Sequence, residues 1–479
     1  MTAAARAIAD HGLKKRALSL GAVKAFDHAL QFLLPVVLVR CLDAATFGEY
    51  RLLWLSVGTL MAFATLNMPG SLYFFMPRSE PRRQRLYVHH TFLFLALSGL
   101  ACGLALVPGN PLLPEAAAPL AEYGALVPAF VGLWVLAALL DHLPTVEEQI
   151  GWQAGATLSM SLLRTVLVAA GAWLTGDLAV LLWLLIVAVV AKLALLLVYM
   201  GQRHGLRRPW LERRAFSEHF RHAAPFGVSS ALYTLRSQAD QWVVASLFAL
   251  SSFAAFSIAA IVGQVVTVFR HAVLEAFLPS MSRMQAGGDL RGMLEMNARA
   301  NVMVASALFP VLAFAFAFAE DLIAFVYTEA YVEGAAAMRV YIAGMAALVV
   351  EVGSVVLLLR QGAFAMRLGA LCLVVSVAVS WLGASHVGLA GAAAGSVLAV
   401  YLDRVVMLRR ISRMTGLSVR RMQEWGWLSG SLVLAAAAAG AAWTAAGQLD
   451  EQQAFPRLLL GSAVVALVYG VPAWWVRRK

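Results

Sequence analysis

The sequence predicts an all-α polytopic membrane protein with about fourteen transmembrane helices. Two observations lead to this prediction. Of the 479 residues, 61% are hydrophobic and only 13% are charged, whereas soluble globular proteins contain about 25% charged residues. In addition, apolar runs long enough to cross a hydrocarbon core of ~30 Å follow one another along the whole chain. Lipid can cover this apolar surface, but a soluble fold of this size cannot bury it.

The apolar runs predict two lobes of six helices each, followed by two further helices. The predicted domains are an N-terminal lobe at 1–200, a basic cytoplasmic linker at 201–223, a second lobe at 224–411 and an additional helix pair at 412–479. The predicted spans are 18–41, 49–76, 86–107, 120–141, 150–174, 179–200, 224–248, 253–279, 301–319, 335–359, 364–384, 388–408, 428–446 and 458–476.

The positions of the basic residues predict the orientation in the membrane. Alternate inter-span segments contain 27 of the 37 Lys and Arg residues, while the segments on the other side contain four. Because cytoplasmic loops are enriched in Lys and Arg, both termini and the segment 201–223 are predicted to lie in the cytoplasm. The acidic inner segment 145–149 is the exception to this pattern. The predicted location is therefore the cytoplasmic membrane of a bacterium.

The two predicted lobes resemble one another weakly. When the chain is shifted by 206 residues, Gly21 aligns with Gly227 and Phe47 aligns with Phe253. Internal repeats of this kind are common in transporters, which bind their substrates between the repeated halves. We therefore expect a pseudo-repeated pair of lobes around a central cavity.

Several functional classes are disfavoured by the sequence. It contains no Walker A motif, no GxGxxG and no HExxH, and its three cysteines form no CxxC pair. His219 and His222 are three residues apart, but no cysteine lies near them and a metal site is not predicted there. The net charge of +11 lies in short loops, where anionic lipid head groups are the expected neighbours rather than nucleic acid. We therefore predict no enzymatic activity, no cofactor and no metal ion.

Basic residues deep in the spans are the first candidates for a functional site. A charge at the middle of the bilayer costs ~2.5–3.5 kcal/mol, so such residues usually face a cavity or a partner. Arg164 has no acidic residue within two helical turns, so it needs water, an anion or a carboxylate from a distant helix. The predicted cavity cations are Lys24, Arg164, Arg236 and Arg270.

Carboxylates in the spans are candidates for coupling transport to an ion. These residues are Asp27, Asp240, Glu275 and Glu351. Asp27 follows Lys24 by three residues and Asp240 follows Arg236 by four, so each can instead form an ion pair on its own helix. Glu351 has no neighbour of opposite charge on its span, so it is either a protonation site or the partner of an arginine.

Two other features have structural interpretations. Lys192 and Arg404 lie within about two turns of the predicted inner membrane face, so their side chains can extend to the head groups. The GxxxG sequence at Gly391–Gly395 predicts close packing between two helices.

Three stretches carry a resemblance to a known family: Val39–Tyr50, Pro225–Ser230 with the following Gln238–Asp240, and Phe309–Pro310 with the following segment to Tyr331. Together they resemble the polysaccharide and O-antigen flippases of the multidrug/oligosaccharidyl-lipid/polysaccharide exporter superfamily. The resemblance extends over roughly residues 15–410. It implies an inner-membrane flippase with two six-helix lobes that open alternately. The implied cargo is an undecaprenyl-pyrophosphate-linked oligosaccharide, and the implied partners are a polysaccharide polymerase and export machinery.

Two other functions remain open from the sequence. An ion-coupled drug or cation antiporter of the same superfamily predicts an acidic cavity, whereas this chain has both acids and bases in its spans. A membrane polysaccharide polymerase, ligase or glycosyltransferase predicts a large outer loop or a set of outer carboxylates. The candidates for such a set are confined to one short segment and are Glu320, Asp321, Glu329 and Glu333.

Overall fold

The computed structural model describes residues 3–111, 114–205, 210–449 and 454–477, and its regular elements in these ranges are all helices. The predicted all-α class is confirmed. The α-helices are α1 (Ala3–Cys41), α2 (Ala44–Thr65), α3 (Met68–Phe75), α4 (Pro81–Ala105), α5 (Leu126–Ala137), α6 (Leu143–Val146), α7 (Ile150–Thr175), α8 (Leu178–Arg203), α9 (Arg213–Leu247), α10 (Leu250–Ala286), α11 (Leu290–Ala317), α12 (Ala319–Val326), α13 (Ala335–Leu348), α14 (Gly353–Leu358), α15 (Gly362–Val387), α16 (Leu389–Thr415), α17 (Trp425–Ala446) and α18 (Ala454–Arg477).

Ten helices within the described ranges are long and apolar enough to cross a membrane. The count rises to eleven if α2 and the following Met68–Arg78, which are bent by 42° at a short break, form one span. The predicted span at 224–248 corresponds to part of α9, which contains Arg236 and Asp240, and α13 has 14 residues. Fourteen spans therefore remain a prediction.

Helix boundaries follow from local capping chemistry. The carboxylate of Asp43 accepts hydrogen bonds from the backbone N–H groups of Ala45 and Thr46 at 2.9 and 3.1 Å, which starts α2. The hydrogen bond from the Thr46 hydroxyl also lowers the pKa of Asp43. The left-handed conformation of Leu66, with φ of +38°, ends this helix.

The chain forms two compact units, unit 1 (Met1–Thr234) and unit 2 (Leu235–Lys479), which divide within α9. The core of unit 1 contains a cluster of apolar side chains from α3, α4, α5 and α8, including Leu72, Val135 and Leu196. The predicted division of the chain at 201–223 and the separate pair at 412–479 remain predictions. Arg207, Arg208, Arg478 and Lys479, which contribute to the predicted basic inner segments, lie outside the described residues.

Helices α15 and α16 pack backbone against backbone in unit 2. A Cβ atom added at Gly391 would lie 2.0 Å from the carbonyl oxygen of Gly383, so no larger residue fits there without movement. The close packing predicted from the GxxxG sequence is therefore confirmed.

The backbone between α13 and α14 is irregular at Glu351 and is held by side chains of α11. The carbonyl oxygen of Glu351 accepts hydrogen bonds from Asn297 and Asn301 at 2.9 and 3.1 Å, and its N–H donates to the amide oxygen of Asn301. Non-helical backbone at membrane depth requires such partners, because no water is present there to satisfy it. The two buried asparagines therefore make this break in the helix tolerable.

Candidate functional site

A cavity of about 210 Å³ with charged side chains in its lining lies within unit 1. At ~30 Å³ per molecule, this volume corresponds to several waters. Its charged lining consists of Asp27 on α1, Arg164 on α7, Lys192 on α8 and Asp141, which ends a 3₁₀ turn after α5. Helix α7 packs against α1 and α8, and α5 packs against α8. This packing places two basic and two acidic side chains around one cavity.

The guanidinium group of Arg164 is only partly satisfied. Its Nη2 lies 4.0 Å from Oδ1 of Asp27, and its side chain is 17% exposed. Its Cζ lies 5.8 Å from the ring centroids of both Trp54 and Trp134, within the range of cation–π attraction. Its Nε has no hydrogen-bond partner among the described residues. Arg164 can therefore donate hydrogen bonds to an anion that enters the cavity.

Asp27 is held mainly by a distant helix. It accepts hydrogen bonds from the hydroxyl of Ser161 and from the amide of Gln31, the second at 2.8 Å. Lys24, its sequence-predicted alternative partner, is exposed. The difference arises because α7 packs along α1 and brings Ser161 and Arg164 to the carboxylate. Asp27 and Arg164 are thus brought together, and Lys24 is not among the residues that line this cavity.

Lys192 is also part of the cavity. Its Nζ lies 2.8 Å from Oδ2 of Asp141 and 5.1 Å from the ring centroid of Trp134. Sequence reasoning favoured extension of Lys192 to the head groups and missed this site. Asp141 lies 51 residues before Lys192 in the sequence. The residues around either side chain do not indicate that the two meet, because the contact depends on the packing of α5 against α8.

Five charged side chains of alternating sign form a chain within unit 2. Arg236 lies 3.3 Å from Asp403, which lies 3.6 Å from Arg404. Arg404 in turn lies 3.6 Å from Glu351, which also contacts Arg270 directly. The structure thus identifies Glu351 as the partner of two arginines. It also places Arg404 inside this chain, whereas the sequence favoured extension to the head groups.

The remaining candidates lie apart from this chain of charges. Asp240 is buried and accepts a hydrogen bond from the hydroxyl of Tyr341 at 2.6 Å, while Arg236, its predicted alternative partner, contacts Asp403. Glu275 is exposed on α10. Within the described parts of the chain, no three His, Cys, Asp or Glu side chains are grouped so that they could hold a metal ion.

The acidic segment 145–149, which departs from the predicted pattern of basic inner segments, has a local explanation. Glu147 contacts the imidazole of His204, accepts a hydrogen bond from the Tyr199 hydroxyl and lies 3.9 Å from Arg203. Burial alone would raise the pKa of Glu147, but the hydrogen bonds from His204 and Tyr199 lower it overall. This acid therefore compensates the basic end of α8.

Comparisons with known proteins agree with this architecture. Residues 13–285 match the model of a family described as polysaccharide biosynthesis protein. No curated protein matches the chain. A structure described as the lipid II flippase MurJ in an inward closed conformation has a TM-score of 0.70 at 11% identity, and the match covers 96% of this chain and 99% of that chain.

Transporters of a related kind share the fold. An inward-facing multidrug resistance MATE family transporter of the MOP superfamily has a TM-score of 0.63 at 15% identity, covering 81% of this chain and 96% of that one. A MOP superfamily transporter from Pyrococcus furiosus, described as having a binding pocket of reverse polarity, has a TM-score of 0.55 at 16% identity and coverages of 84% and 96%. At these identities the likeness establishes the fold.

Proposed function

Because the chain belongs to the polysaccharide biosynthesis protein family, as its sequence motifs implied, we propose that it moves an undecaprenyl-pyrophosphate-linked oligosaccharide across the cytoplasmic membrane. The fold it shares with a flippase and with MOP superfamily transporters supports a transport function rather than an enzymatic one. In this proposal, alternating access exposes the substrate site first to one side of the membrane and then to the other.

The observation that carries this proposal is the position of Arg164 in the cavity of unit 1. Its guanidinium lines the cavity beside two tryptophans, lies 4.0 Å from the carboxylate of Asp27, and has an Nε without a hydrogen-bond partner among the described residues. Arginine binds phosphate oxygens in a bidentate manner, and such charge-assisted hydrogen bonds are stronger than neutral ones. A pyrophosphate group supplies several such oxygens, while the polyprenyl tail remains in the lipid.

The second candidate is a drug or cation antiporter, and the charge balance of the cavity is the observation in its favour. Asp27 and Asp141 match Arg164 and Lys192 in number, and MATE transporters have the same fold. A membrane enzyme is less well supported, because two acids in the first turn of α12 are held in ion pairs, Glu320 with Arg339 and Asp321 with Arg457.

The proposal also specifies a location and partners. Both termini lie in the cytoplasm, which the distribution of basic residues supports. Anionic lipids contact the basic inner segments, and a polysaccharide polymerase with its export machinery receives the translocated oligosaccharide.

The test is transport by the purified protein in lipid vesicles. Lipid-linked oligosaccharide is placed in the membrane, and a soluble glycosidase measures how fast the sugar reaches the outer side. Wild type should accelerate this transfer over protein-free vesicles. Arg164→Ala should slow it at least about tenfold, the equivalent of one lost charge-assisted hydrogen bond, and Arg164→Lys should restore part of the rate.

Two controls make the result decisive. Arg291 is 79% exposed and pairs with Glu295 on its own helix, so Arg291→Ala should transport at the wild-type rate. A lipophilic cation tested in the same vesicles distinguishes the antiporter. Transport of the cation without transport of the oligosaccharide, or a wild-type rate for correctly folded Arg164→Ala, would contradict the proposal.

A further inference from the structure

Two cations of the unit 1 cavity share one aromatic side chain. The ring centroid of Trp134 lies 5.1 Å from Nζ of Lys192 and 5.8 Å from Cζ of Arg164. The face of a tryptophan ring attracts cations, so Trp134 holds both groups near one another at the edge of the same cavity. Two cations at a common cavity are the arrangement that a ligand with two linked negative groups requires.

Each cation is held by a carboxylate that a ligand can replace. Lys192 is 13% exposed but Asp141 is 54% exposed, so this acid can turn into solvent without being buried alone. Asp27 contacts Arg164 at the long distance of 4.0 Å and has separate hydrogen bonds from Ser161 and Gln31. When an anion displaces the two carboxylates, Asp141 can turn into solvent and Asp27 keeps its hydrogen bonds from Ser161 and Gln31.

The cavity also contains a buried acceptor without a donor. Gln153 is 4% exposed and lines the cavity, and its amide nitrogen donates to the hydroxyl of Thr157 at 3.1 Å. Its Oε1 has no hydrogen-bond partner among the residues that the structure describes. Buried polar atoms are normally satisfied, so this oxygen indicates a ligand or a water that donates a hydrogen bond.

We propose that Arg164 and Lys192 form a clamp for the two phosphoryl groups of a diphosphate, with Trp134 as the positioning residue and Gln153 as the acceptor for a hydroxyl of the adjoining sugar. The inference rests on the proposed function, because the diphosphate is part of the lipid-linked substrate. Diphosphate binding can nevertheless be measured without transport, so the two proposals can fail separately.

The experiment measures binding of inorganic pyrophosphate and inorganic phosphate to the full-length protein by calorimetry in detergent. Pyrophosphate should bind more tightly than phosphate. Lys192→Gln should weaken pyrophosphate binding about tenfold or more, and Lys192→Arg should retain it. Asp141→Asn should tighten binding because it removes the competing carboxylate. Arg291→Ala should bind as wild type does.

Trp134 requires a measurement that a purely structural role would not change. Trp134→Leu should reduce the preference for pyrophosphate over phosphate, because Arg164 and Lys192 lose the aromatic ring that holds both of them near the cavity. Trp134→Phe keeps an aromatic face and should recover part of that preference. An unchanged preference in Trp134→Leu would refute the positioning role.

The folding of the lysine variant needs its own control. Lys192→Gln leaves Asp141 without its cation, which could impair folding. The double variant Lys192→Gln/Asp141→Asn removes both charges, so pyrophosphate binding can be measured without an unpaired carboxylate. Equal pyrophosphate affinities in the folded double variant and in Asp141→Asn alone, or equal affinities for pyrophosphate and phosphate in wild type, would overturn the clamp.

The source of the diphosphate is distinguished by competition. Mixed micelles that contain polyprenyl diphosphate should displace pyrophosphate, whereas polyprenyl monophosphate should do so weakly. Displacement by neither lipid would refute a clamp for the lipid-linked group and leave a site for free diphosphate. Normal pyrophosphate binding together with no transport of lipid-linked oligosaccharide would refute the proposed function while the clamp stands.

Discussion

At the scale of single residues, the charges within the helices divide into two kinds. Arg270 contacts Glu351 directly, and both side chains are buried. Arg164 is 4.0 Å from its carboxylate and lines a cavity. The first pair is in direct contact and closed to solvent, whereas a ligand in the cavity can reach Arg164. We therefore expect Arg270 to act mainly on stability and Arg164 mainly on transport.

The first prediction at this scale concerns Arg270→Ala. Removing one partner of a buried ion pair leaves the other charge uncompensated and costs about 3–5 kcal/mol. Since Arg404 also lies 3.6 Å from Glu351, we expect a loss of about 3 kcal/mol in the free energy of unfolding. Denaturant titration in detergent micelles measures this quantity.

A second variant separates lost stability from lost substrate binding. Arg270→Ala/Glu351→Gln removes the stranded charge and should recover part of the lost stability. If Arg270→Ala is as stable as wild type and yet fails to transport, Arg270 contacts the substrate and the structural interpretation is wrong.

The sequence identified the charged residues but not their partners. Its short-range spacing allowed the pairs Lys24–Asp27 and Arg236–Asp240, whereas the structure pairs Arg236 with a residue 167 positions away. Neighbours on one helix compete with side chains from every helix packed against it. The outcome of that competition depends on which helices pack together, and the spacing of residues within one helix does not reveal this.

At the scale of helices, the bend between α2 and α3 lies in close contact with α9. A Cβ atom added at Gly227 would lie 2.3 Å from the carbonyl carbon of Leu66, which has a left-handed backbone conformation. Backbone atoms cannot move aside as a flexible side chain can. Glycine at this position therefore permits α9 to pack against the bend.

We predict that Gly227→Ala destabilises unit 1 by about 1–3 kcal/mol, because overpacking forces the backbones apart. The matched control is Gly21→Ala. Gly21 aligns with Gly227 in the predicted repeat, but nothing lies within 4 Å of its added Cβ. That variant should be neutral or slightly more stable, because alanine favours the helix by up to ~1 kcal/mol. Equal thermal unfolding temperatures for the two variants would contradict the packing argument.

Helix type could be predicted from the sequence, but interruptions could not. The apolar runs identified α4, α7 and α8 to within a few residues, because lipid-facing helices must be apolar along their whole length. The interpretation of 49–76 as one apolar span overlooked the break near Leu66, although Pro69 stands in the first turn of α3. The break near Glu351 depends on hydrogen bonds from α11, which the residues around Glu351 do not reveal.

At the scale of the whole molecule, the distribution of charge predicts orientation in the membrane. The sequence alone assigns the basic residues to alternate segments between the predicted spans, and the orientation remains a prediction that rests on this assignment. The membrane itself supplies the constraint, because a span must place its basic flank on the cytoplasmic side.

The corresponding prediction is tested with reporter fusions. A reporter at Gly109, in the turn after α4, or near Gln452, which lies outside the described residues, should give an extracytoplasmic signal. A reporter within 201–223 should give a cytoplasmic one. A cytoplasmic signal at either of the first two positions would require a different arrangement of every span that follows.

The long separation between ion-pair partners has a consequence for biosynthesis. Arg236 and Asp403 are 167 residues apart, and ribosomes add about 5–20 residues per second. Arg236 is therefore synthesised roughly ten to thirty seconds before its partner. During that interval the nascent chain must keep the arginine in the insertion machinery, near water, or in contact with another helix. Assembly of unit 2 therefore ends only after α16 has emerged from the ribosome.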